Sequence, residues 1–248
     1  MNARLFIRGT AATTEKNIRI YYNKAPVIIF GLMFPIFMFI AFYLGRDIEL
    51  PLFVPGFLAM TLFFTSSSVG PLITPWEKQA GTYERLLSFP VSLYTILFGD
   101  LIAGALFGLM ITSVVFVGIV ALVGVTVSHA ALLVLSMLLG TVCFSSLGVL
   151  IASPASPSPP NIMMLSSLVR FPLIFISGVF VPLVQLTGPG KVLTYFSPLT
   201  YLVDLANSCL GNTSVLAPAL DLAALCVFSV GFTVVAHYFQ KRNLMKGI

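Results

Sequence analysis

Long apolar stretches alternate with short polar segments along almost the whole chain. A helix needs about 20 predominantly apolar residues to cross a hydrocarbon core about 30 Å thick. Six stretches fit this requirement, namely residues 26–44, 54–73, 91–123, 130–152, 161–183 and 215–239. The pattern predicts an all-α integral membrane protein with six transmembrane helices, organised as one transmembrane domain over residues 1–248.

The segments outside these stretches have their own character. Residues 1–24 carry five basic side chains and no long apolar run, so we expect an uncleaved, partly helical cytoplasmic lead near the membrane surface. Residues 153–160 read SPASPSPP, a loop, because proline cannot continue a helix. The pair Lys241 and Arg242 is expected to end the sixth span.

Composition supports a membrane environment. Hydrophobic residues make up 58% of the chain, charged residues 8%, and mean hydropathy is +1.03. A soluble domain carries about 25% charged residues, so this inventory cannot cover a water-exposed surface, whereas a lipid bilayer can surround it. Lipid is therefore expected to contact most of the protein surface.

The distribution of basic residues predicts the orientation. With the N-terminus inside, the inside segments hold ten Lys and Arg and the outside segments hold two, Arg46 and Lys191. This positive-inside bias places both termini in the cytoplasm, as in a multi-pass protein of the plasma membrane. The net charge of +5 is explained by this bias, and no nucleic-acid partner is expected.

Several kinds of chemistry have no motif in this sequence. The three cysteines (Cys143, Cys209 and Cys226) are isolated, so neither a disulfide framework nor a zinc site is expected. The phosphate-binding loop GxxxxGK[ST] is missing, because no lysine precedes Ser or Thr. We expect no catalytic residue, no metal site and no bound cofactor.

A short helix is predicted between the second and third spans. Gly81 permits a turn that a β-carbon would hinder, Thr82 is a suitable N-cap, and Pro90 limits the helix. In isolation, a solvated turn with ordinary capping explains the same residues.

The predicted helix has two different sides. Leu86 and Leu87 face one way, and Glu84 and Arg85 face another. A rigid cytoplasmic helix with an apolar edge and charged flanks suits insertion into a groove on a partner protein.

Three stretches resemble the ABC-2 family of ABC-transporter permeases, which includes membrane subunits of drug-resistance and polysaccharide-export systems. Arg19–Pro35 has a basic lead and two prolines in the first span. Glu77–Pro90, EKQAGTYERLLSFP, is similar to the family signature E-x-x-x-G-T-x-E-x-L-x-x-x-P. Phe171–Tyr201 resembles the fifth span and its following P-L-T-Y segment.

The resemblance implies an efflux system, such as a multidrug exporter, in which a second permease copy completes the pathway, with a homodimer as the default and a heterodimer as the alternative. It implies a separate ABC ATP-binding subunit that holds ATP and Mg²⁺, and a partly re-entrant outer segment over residues 185–211. The residues expected to couple that subunit to the membrane domain are Glu77, Gly81, Thr82, Glu84, Arg85, Leu86, Leu87 and Pro90.

Arg170 is the basic residue predicted deepest in the membrane, about 15 Å into span five at helical rise. Such a charge is tolerated when it faces a bundle interior or a water-filled cavity. It therefore either binds a polar or anionic substrate group, pairs internally with Asp100 or with carbonyls freed by Pro172, or lies at the interface. Asp100 and Asp221 are candidates for a proton relay, although snorkelling to the interface explains both.

Aromatic and small residues complete the candidate pathway. Five phenylalanines could line a hydrophobic substrate cavity or face lipid; they are Phe34, Phe37, Phe57, Phe63 and Phe64. Gly104 and Gly108 form GxxxG, a spacing that lets helices approach closely, and packing within the chain is favoured over a dimer contact.

Two other function classes remain open from the sequence. A non-transporting scaffold or assembly subunit would also use a cytoplasmic helix to dock a partner. An ion-coupled secondary transporter would favour inverted repeats, and no repeat relates residues 1–123 to residues 130–248.

Overall fold

The computed structural model describes residues 3–43, 50–89, 91–154 and 158–245, and the regular elements in these ranges are all helical. The α-helices are α1 Ala3–Tyr21, α2 Ala25–Ile28, α3 Phe34–Tyr43, α4 Leu50–Ser68, α5 Gly70–Gln79, α6 Thr82–Ser88, α7 Leu93–Val123, α8 Ala130–Ala152, α9 Pro159–Phe175, α10 Pro189–Thr194, α11 Pro198–Cys209 and α12 Pro218–Met245. A π-helical turn, Ile29–Met33, joins α2 to α3, and a 3₁₀ turn, Leu183–Gln185, precedes α10. The predicted all-α class is confirmed for this part of the chain.

Helices α4 and α5 form the centre of the bundle. α4 packs against α7, α8 and α11, and α5 packs against α8 and α9. Phe63, Phe64 and Phe144 are fully buried in the main core. The hydroxyl-rich residues 65–68 are also buried, and Thr65 donates to the Thr61 carbonyl at 2.8 Å. Such bonds within the helix satisfy polar groups that have no access to water.

Close packing of α7 depends on its small residues. A β-carbon on Gly108 would lie 1.8 Å from Ser66 Oγ of α4, and one on Gly104 would lie 2.4 Å from Ser145 Oγ of α8. The predicted use of this GxxxG pair for packing within the chain is confirmed.

The backbones of α5 and α8 also meet closely. A β-carbon on Gly70 would lie 2.5 Å from the carbonyl carbon of Gly148. The contact comes directly after Val69, the residue that separates α4 from α5. Only hydrogen fits between the two backbones at this point.

Four helices are long and apolar enough to cross a membrane, namely Leu52–Gln79, Leu93–Ala121, Ala130–Ala152 and Pro218–Met245. They correspond to the second, third, fourth and sixth predicted spans. The first predicted span meets the criterion only as part of a pair, Arg4–Tyr21 and Ala25–Met38, which is bent by 89°. Helix α9 has 17 residues, fewer than the about 20 of a typical crossing. The described residues thus contain four helices that are able to cross a membrane, or five if the bent pair counts as one, and six spans stay a prediction.

Two predicted span ends differ from the structure. The sequence predicts that the second span ends at residue 73, but α5 continues to Gln79, because α1 supplies a partner for the charge at Glu77. The sequence also predicts a stop at Lys241, but α12 runs from Pro218 to Met245. Lys and Arg are good helix formers, so they end the apolar stretch and not the helix.

The segment over residues 185–211 contains two short helices in different surroundings. α11 packs against α4, α8 and α12, whereas Val192 and Leu193 of α10 are exposed. Asp204 of α11 accepts backbone N–H bonds from Val215 and Leu216 at 2.8–3.1 Å. These bonds tie the start of the last helix to α11.

Candidate functional site

The turn between α5 and α6 depends on Gly81. Its φ of 66° lies in the left-handed region, which glycine adopts without a steric cost. Gly81 occupies the N-cap position, and Thr82 is the first helical residue, with its hydroxyl donating to the Glu77 carbonyl at 3.2 Å. The predicted N-cap role of Thr82 is therefore wrong. Helix α6 ends at Ser88, and Pro90 lies outside the described residues.

Helix α6 has a buried side and an exposed side. Leu86 and Leu87 are half-buried, whereas Glu84 and Arg85 are exposed, which is the division that the sequence predicts. The most buried residue of α6 is Tyr83, at 5% exposure, which sequence reasoning missed. The spacing offered a signal, because Tyr83 lies three residues before Leu86 and residues three apart share a helix face.

Tyr83 lies among ionisable groups. Burial, and then the nearby carboxyl groups of Asp100 and Glu77, raise the pKa of its phenol well above the ordinary value. The Lys78 ammonium lies 5.6 Å from the centroid of its ring, within the range of a cation–π contact. The phenol therefore stays protonated, and the ring fixes α6 against the end of α5.

An ion pair joins the lead helix to the end of α5. Lys16 of α1 pairs with Glu77, whose side chain is 4% exposed. A buried pair of this kind is costly to break because the remaining charge would have no partner. Glu77, predicted as a coupling residue, is therefore an internal contact and not an exposed one.

A second polar contact joins the lead helix to α7. Asn17 Nδ2 donates to Asp100 Oδ1 at 2.7 Å, and Thr74 Oγ1 of α5 lies 3.5 Å from Asp100 Oδ2. Asp100 is 2% exposed, so the expectation that it snorkels to the interface is wrong. The three side chains bring α1, α5 and α7 together at one point.

Small residues allow α1 to lie directly on α7. A β-carbon on Gly99 would lie 2.5 Å from Thr13 Cβ, and one on Gly9 would lie 2.7 Å from Thr95 Cγ2. Thr14 Oγ1 also donates to the Gly99 carbonyl at 3.2 Å. α1 contacts both α5 and α7, and α5 contacts α6, so these four helices are joined to one another.

A cleft of about 470 Å³ opens beside α6. Lys24 Nζ lies 5.2 Å from the Trp76 ring centroid on one wall, and Arg85 and Phe89 line another part. Phe89 is 61% exposed. Aromatic and basic groups together make the cleft suited to an apolar side chain flanked by acidic ones.

The five phenylalanines predicted for a substrate pathway do not share one surface. Phe34 contacts Phe64, with ring centroids 4.5 Å apart, and Phe63 and Phe64 are separated by 5.2 Å. Phe57, Phe63 and Phe64 are buried in the core, whereas Phe37 is largely exposed. Within one chain, these phenylalanines therefore pack in the core, except for the exposed Phe37. Their role in transport stays a prediction.

Arg170 lies inside the bundle. It is 5% exposed and donates from Nη2 to Ser166 Oγ, one turn earlier in α9, while its Nε has no partner among the described residues. It forms neither of the two ion pairs present in the described part of the chain, so the internal pairing with Asp100 is not observed. Small gaps beside it are lined by Ser68 and Ser167.

Comparison with known proteins identifies the family of this chain. The family model for the ABC-2 type transporter matches residues 9–210. The chain is 26% identical over 197 residues to Nodulation protein J of Rhizobium leguminosarum bv. viciae, covering 77% of this chain and 76% of that protein. It is 24% identical over 196 residues to Nodulation protein J of Rhizobium meliloti (strain 1021), covering 78% and 74%. This chain belongs to the ABC-2 type transporter family, as its membrane-embedded permease component.

Proposed function

We propose that this chain is the permease subunit of an ATP-driven exporter. Two copies form the substrate pathway, and a separate ATP-binding subunit drives it through residues 77–90. Family membership supports this proposal, as does a sequence without the loop that cradles nucleotide phosphates. ATP and Mg²⁺ are held by the partner.

The observation that carries the proposal is the connection of α6 to the bundle. Its outer side presents Glu84 and Arg85, followed by the exposed Phe89, while its inner side contacts α5, which is joined to α1 by the Lys16–Glu77 pair. A partner that pushes on the outer side therefore moves the bundle and not a loose loop.

The proposed topology has six spans with both termini in the cytoplasm of the plasma membrane. The positive-inside bias supports it, and so does the right angle between α1 and the first span, since a surface helix and a crossing helix are then perpendicular. α9 completes its crossing with residues 176–183. The segment over residues 185–211, with the buried α11 and the exposed α10, is a partly re-entrant cap on the outer side.

The proposed dimer interface includes α3 and α9. These helices are neighbours, because the rings of Phe34 and Phe171 lie 5.7 Å apart. Each exposes an apolar side, including Phe37 of α3 and Met164 and Leu168 of α9. A second copy that packs here encloses a cavity near the dimer axis, with Phe37 beside the pathway.

In the proposed mechanism, ATP-dependent closure of the partner subunits pushes on Glu77–Pro90. The two bundles tilt and the cavity opens outward. Arg170 then becomes accessible to a polar or anionic part of the cargo. The serines around Arg170 support this role because they offer hydroxyl groups to the same ligand.

Site-specific photo-crosslinking in native membranes tests the coupling. A benzophenone amino acid replaces Arg85 in one variant and the exposed Val192 of α10 in a matched control. We expect position 85 to crosslink a polypeptide whose sequence contains GxxxxGK[ST], and position 192 to leave it unlabelled. Labelling of that polypeptide from position 192 alone would reject the proposed topology and the coupling together.

Activity of the purified complex separates a permease from a scaffold. Deletion of residues 81–90 should abolish both stimulation of the partner ATPase and export, while membrane insertion persists. If the deleted chain still binds the partner and supports full ATPase activity and export, residues 81–90 do not couple the subunits.

A further inference from the structure

The lead helix α1 buries uncharged polar residues and exposes both apolar and charged ones. Thr10, Thr13 and Asn17 are buried against α7, whereas Ile7 is 66% exposed and Ile20 is 46% exposed. Arg8 and Arg19 are exposed as well, so the apolar flank of Ile7, Ala11 and Ile18 lies beside a charged row, as on a helix at a membrane surface. The apolar flank of α1 is therefore suited to surroundings other than water.

The geometry places this flank beside a groove. α1 runs at 89° to the helices that follow it, as expected of a helix that lies along a membrane surface. A groove of about 600 Å³ lies along the junction of α1 and α7, with Ile7, Ala11 and Ile18 on one wall and Ile102 on the other. Thr10, Thr14, Glu15 and Arg19 also line it, but most of its surface is apolar.

An exposed apolar stripe continues from the groove along α7. It consists of residues at three- and four-residue spacing, which lie on one helix face; they are Ile102, Leu106, Met110, Val114 and Val117. The stripe is about 22 Å long at helical rise, which exceeds half of a hydrocarbon core about 30 Å thick. An acyl chain can thus lie along the stripe through the full depth of one leaflet.

Basic side chains border the groove. Arg4, Arg8, Glu15 and Arg19 are exposed. They are separated by four or seven residues, so they form one row on α1. The single acid of the row, Glu15, is paired with Arg19 at 2.5 Å, which leaves an excess of positive charge beside an apolar surface.

We infer that this groove is a binding site for an anionic phospholipid, with an acyl chain along Ile102 and its stripe and the headgroup beside Arg8 and Arg19. The inference rests on the proposed function only for placing α1 at the cytoplasmic membrane surface. Because α1 also carries Lys16 and Asn17, a bound lipid holds in place the helix that contacts both α5 and α7. The lipid thus sets the position of the element that transmits motion from α6.

Quenching of a single tryptophan by brominated lipid tests the site directly. The chain has one tryptophan, Trp76, so Trp76→Phe provides a background for Ile102→Trp and for the matched control Val227→Trp, at a 71% exposed position of α12. Each variant is reconstituted in phosphatidylcholine vesicles that contain brominated phosphatidylglycerol or brominated phosphatidylcholine. At position 102 we expect phosphatidylglycerol to associate about fivefold more strongly than phosphatidylcholine. This is the effect of about one basic residue whose charge is not neutralised by an acidic one. At position 227 the two lipids should associate equally.

Charge variants show whether the arginines cause the preference. Arg8→Gln with Arg19→Gln should bring the ratio at position 102 close to one, and Lys241→Gln with Arg242→Gln at the end of α12 should leave it unchanged. Equal association at positions 102 and 227, or a preference that survives loss of Arg8 and Arg19, would overturn the inference. The inference would also be overturned if neither brominated lipid quenched the tryptophan at position 102 while both quenched the one at position 227. Protein would then cover the groove. The assay needs neither ATPase activity nor export, so its failure leaves the proposed function standing.

Discussion

Asn17 donates a 2.7 Å hydrogen bond to the buried carboxyl group of Asp100. This contact joins a helix at the start of the chain to the middle of the polar cluster between α5 and α7. It also gives a direct test of how firmly the lead helix is attached.

Asn17→Ala should destabilise the protein by about 1–3 kcal/mol, because a buried acceptor loses its donor. The measurement is the thermal unfolding midpoint in detergent, followed by Trp76 fluorescence. Glu84→Gln, at an exposed position of α6, is the control and should leave the midpoint unchanged. An unchanged midpoint for Asn17→Ala would mean that Asp100 does not depend on α1.

The Lys16–Glu77 pair should matter more for coupling than for assembly. Lys16→Met leaves Glu77 buried without its cation, and a broken buried pair costs about 3–5 kcal/mol. Lys16→Met combined with Glu77→Gln removes both charges and should recover most of the lost stability. The double variant should still bind the ATP-binding subunit but show reduced stimulation of its ATPase. Full stimulation would show that this pair does not transmit motion.

Gly81 is expected to act through its backbone alone. A β-carbon there would have no neighbouring atom within 4 Å, but its φ of 66° is unfavourable for alanine by about 1–2 kcal/mol. Gly81→Ala should therefore reduce ATPase stimulation, and Gly81→Asn should retain more of it, since asparagine adopts this conformation more readily. Equal activity of the two variants would contradict a conformational role.

Two glycines of α7 offer a matched comparison of packing. Gly108→Ala forces a methyl group against Ser66 and should destabilise the fold by about 1–3 kcal/mol. Gly118→Ala meets no atom within 4 Å and should be neutral. The measurement is the thermal unfolding midpoint of each variant. Equal midpoints for Gly108→Ala and Gly118→Ala would contradict the close α4–α7 contact.

Labelling of single cysteines tests the orientation. Cys226 is the exposed native cysteine, and Cys143 and Cys209 are buried, so Cys226→Ser is a suitable background. Arg85→Cys should react with an impermeant maleimide only after the membrane is opened, and Thr213→Cys should react in intact cells. The reverse pattern would exclude cytoplasmic coupling through α6.

Local signals in the sequence mark the ends of some helices. The ends of α7 are marked by Ser92, which accepts a bond from the Thr95 N–H at 3.3 Å, and by Gly124 with its φ of 69°. Both are features of the sequence within one turn of the helix. The bounds predicted from the apolar run alone, residues 91–123, lie within two residues of the ends of α7.

Other features depend on contacts between distant segments. The extension of α5 to Gln79 and the burial of Asp100 both require side chains from α1, more than sixty residues away in the case of Lys16 and Glu77. Periodicity describes one helix at a time and carries no information about its partners. The motif therefore points to residues 77–90 as a coupling segment, which stays a prediction, but no motif predicts the polar cluster of Lys16, Asn17 and Asp100 behind it.

The contact between Gly70 and Gly148 has a mechanical consequence. Because only hydrogen atoms separate the two backbones, α5 is held against α8 at its first residue. We expect a force applied at the Gln79 end of α5 to turn the helix about Gly70, so that the Gln79 end moves most and the Gly70 end keeps its contact with α8.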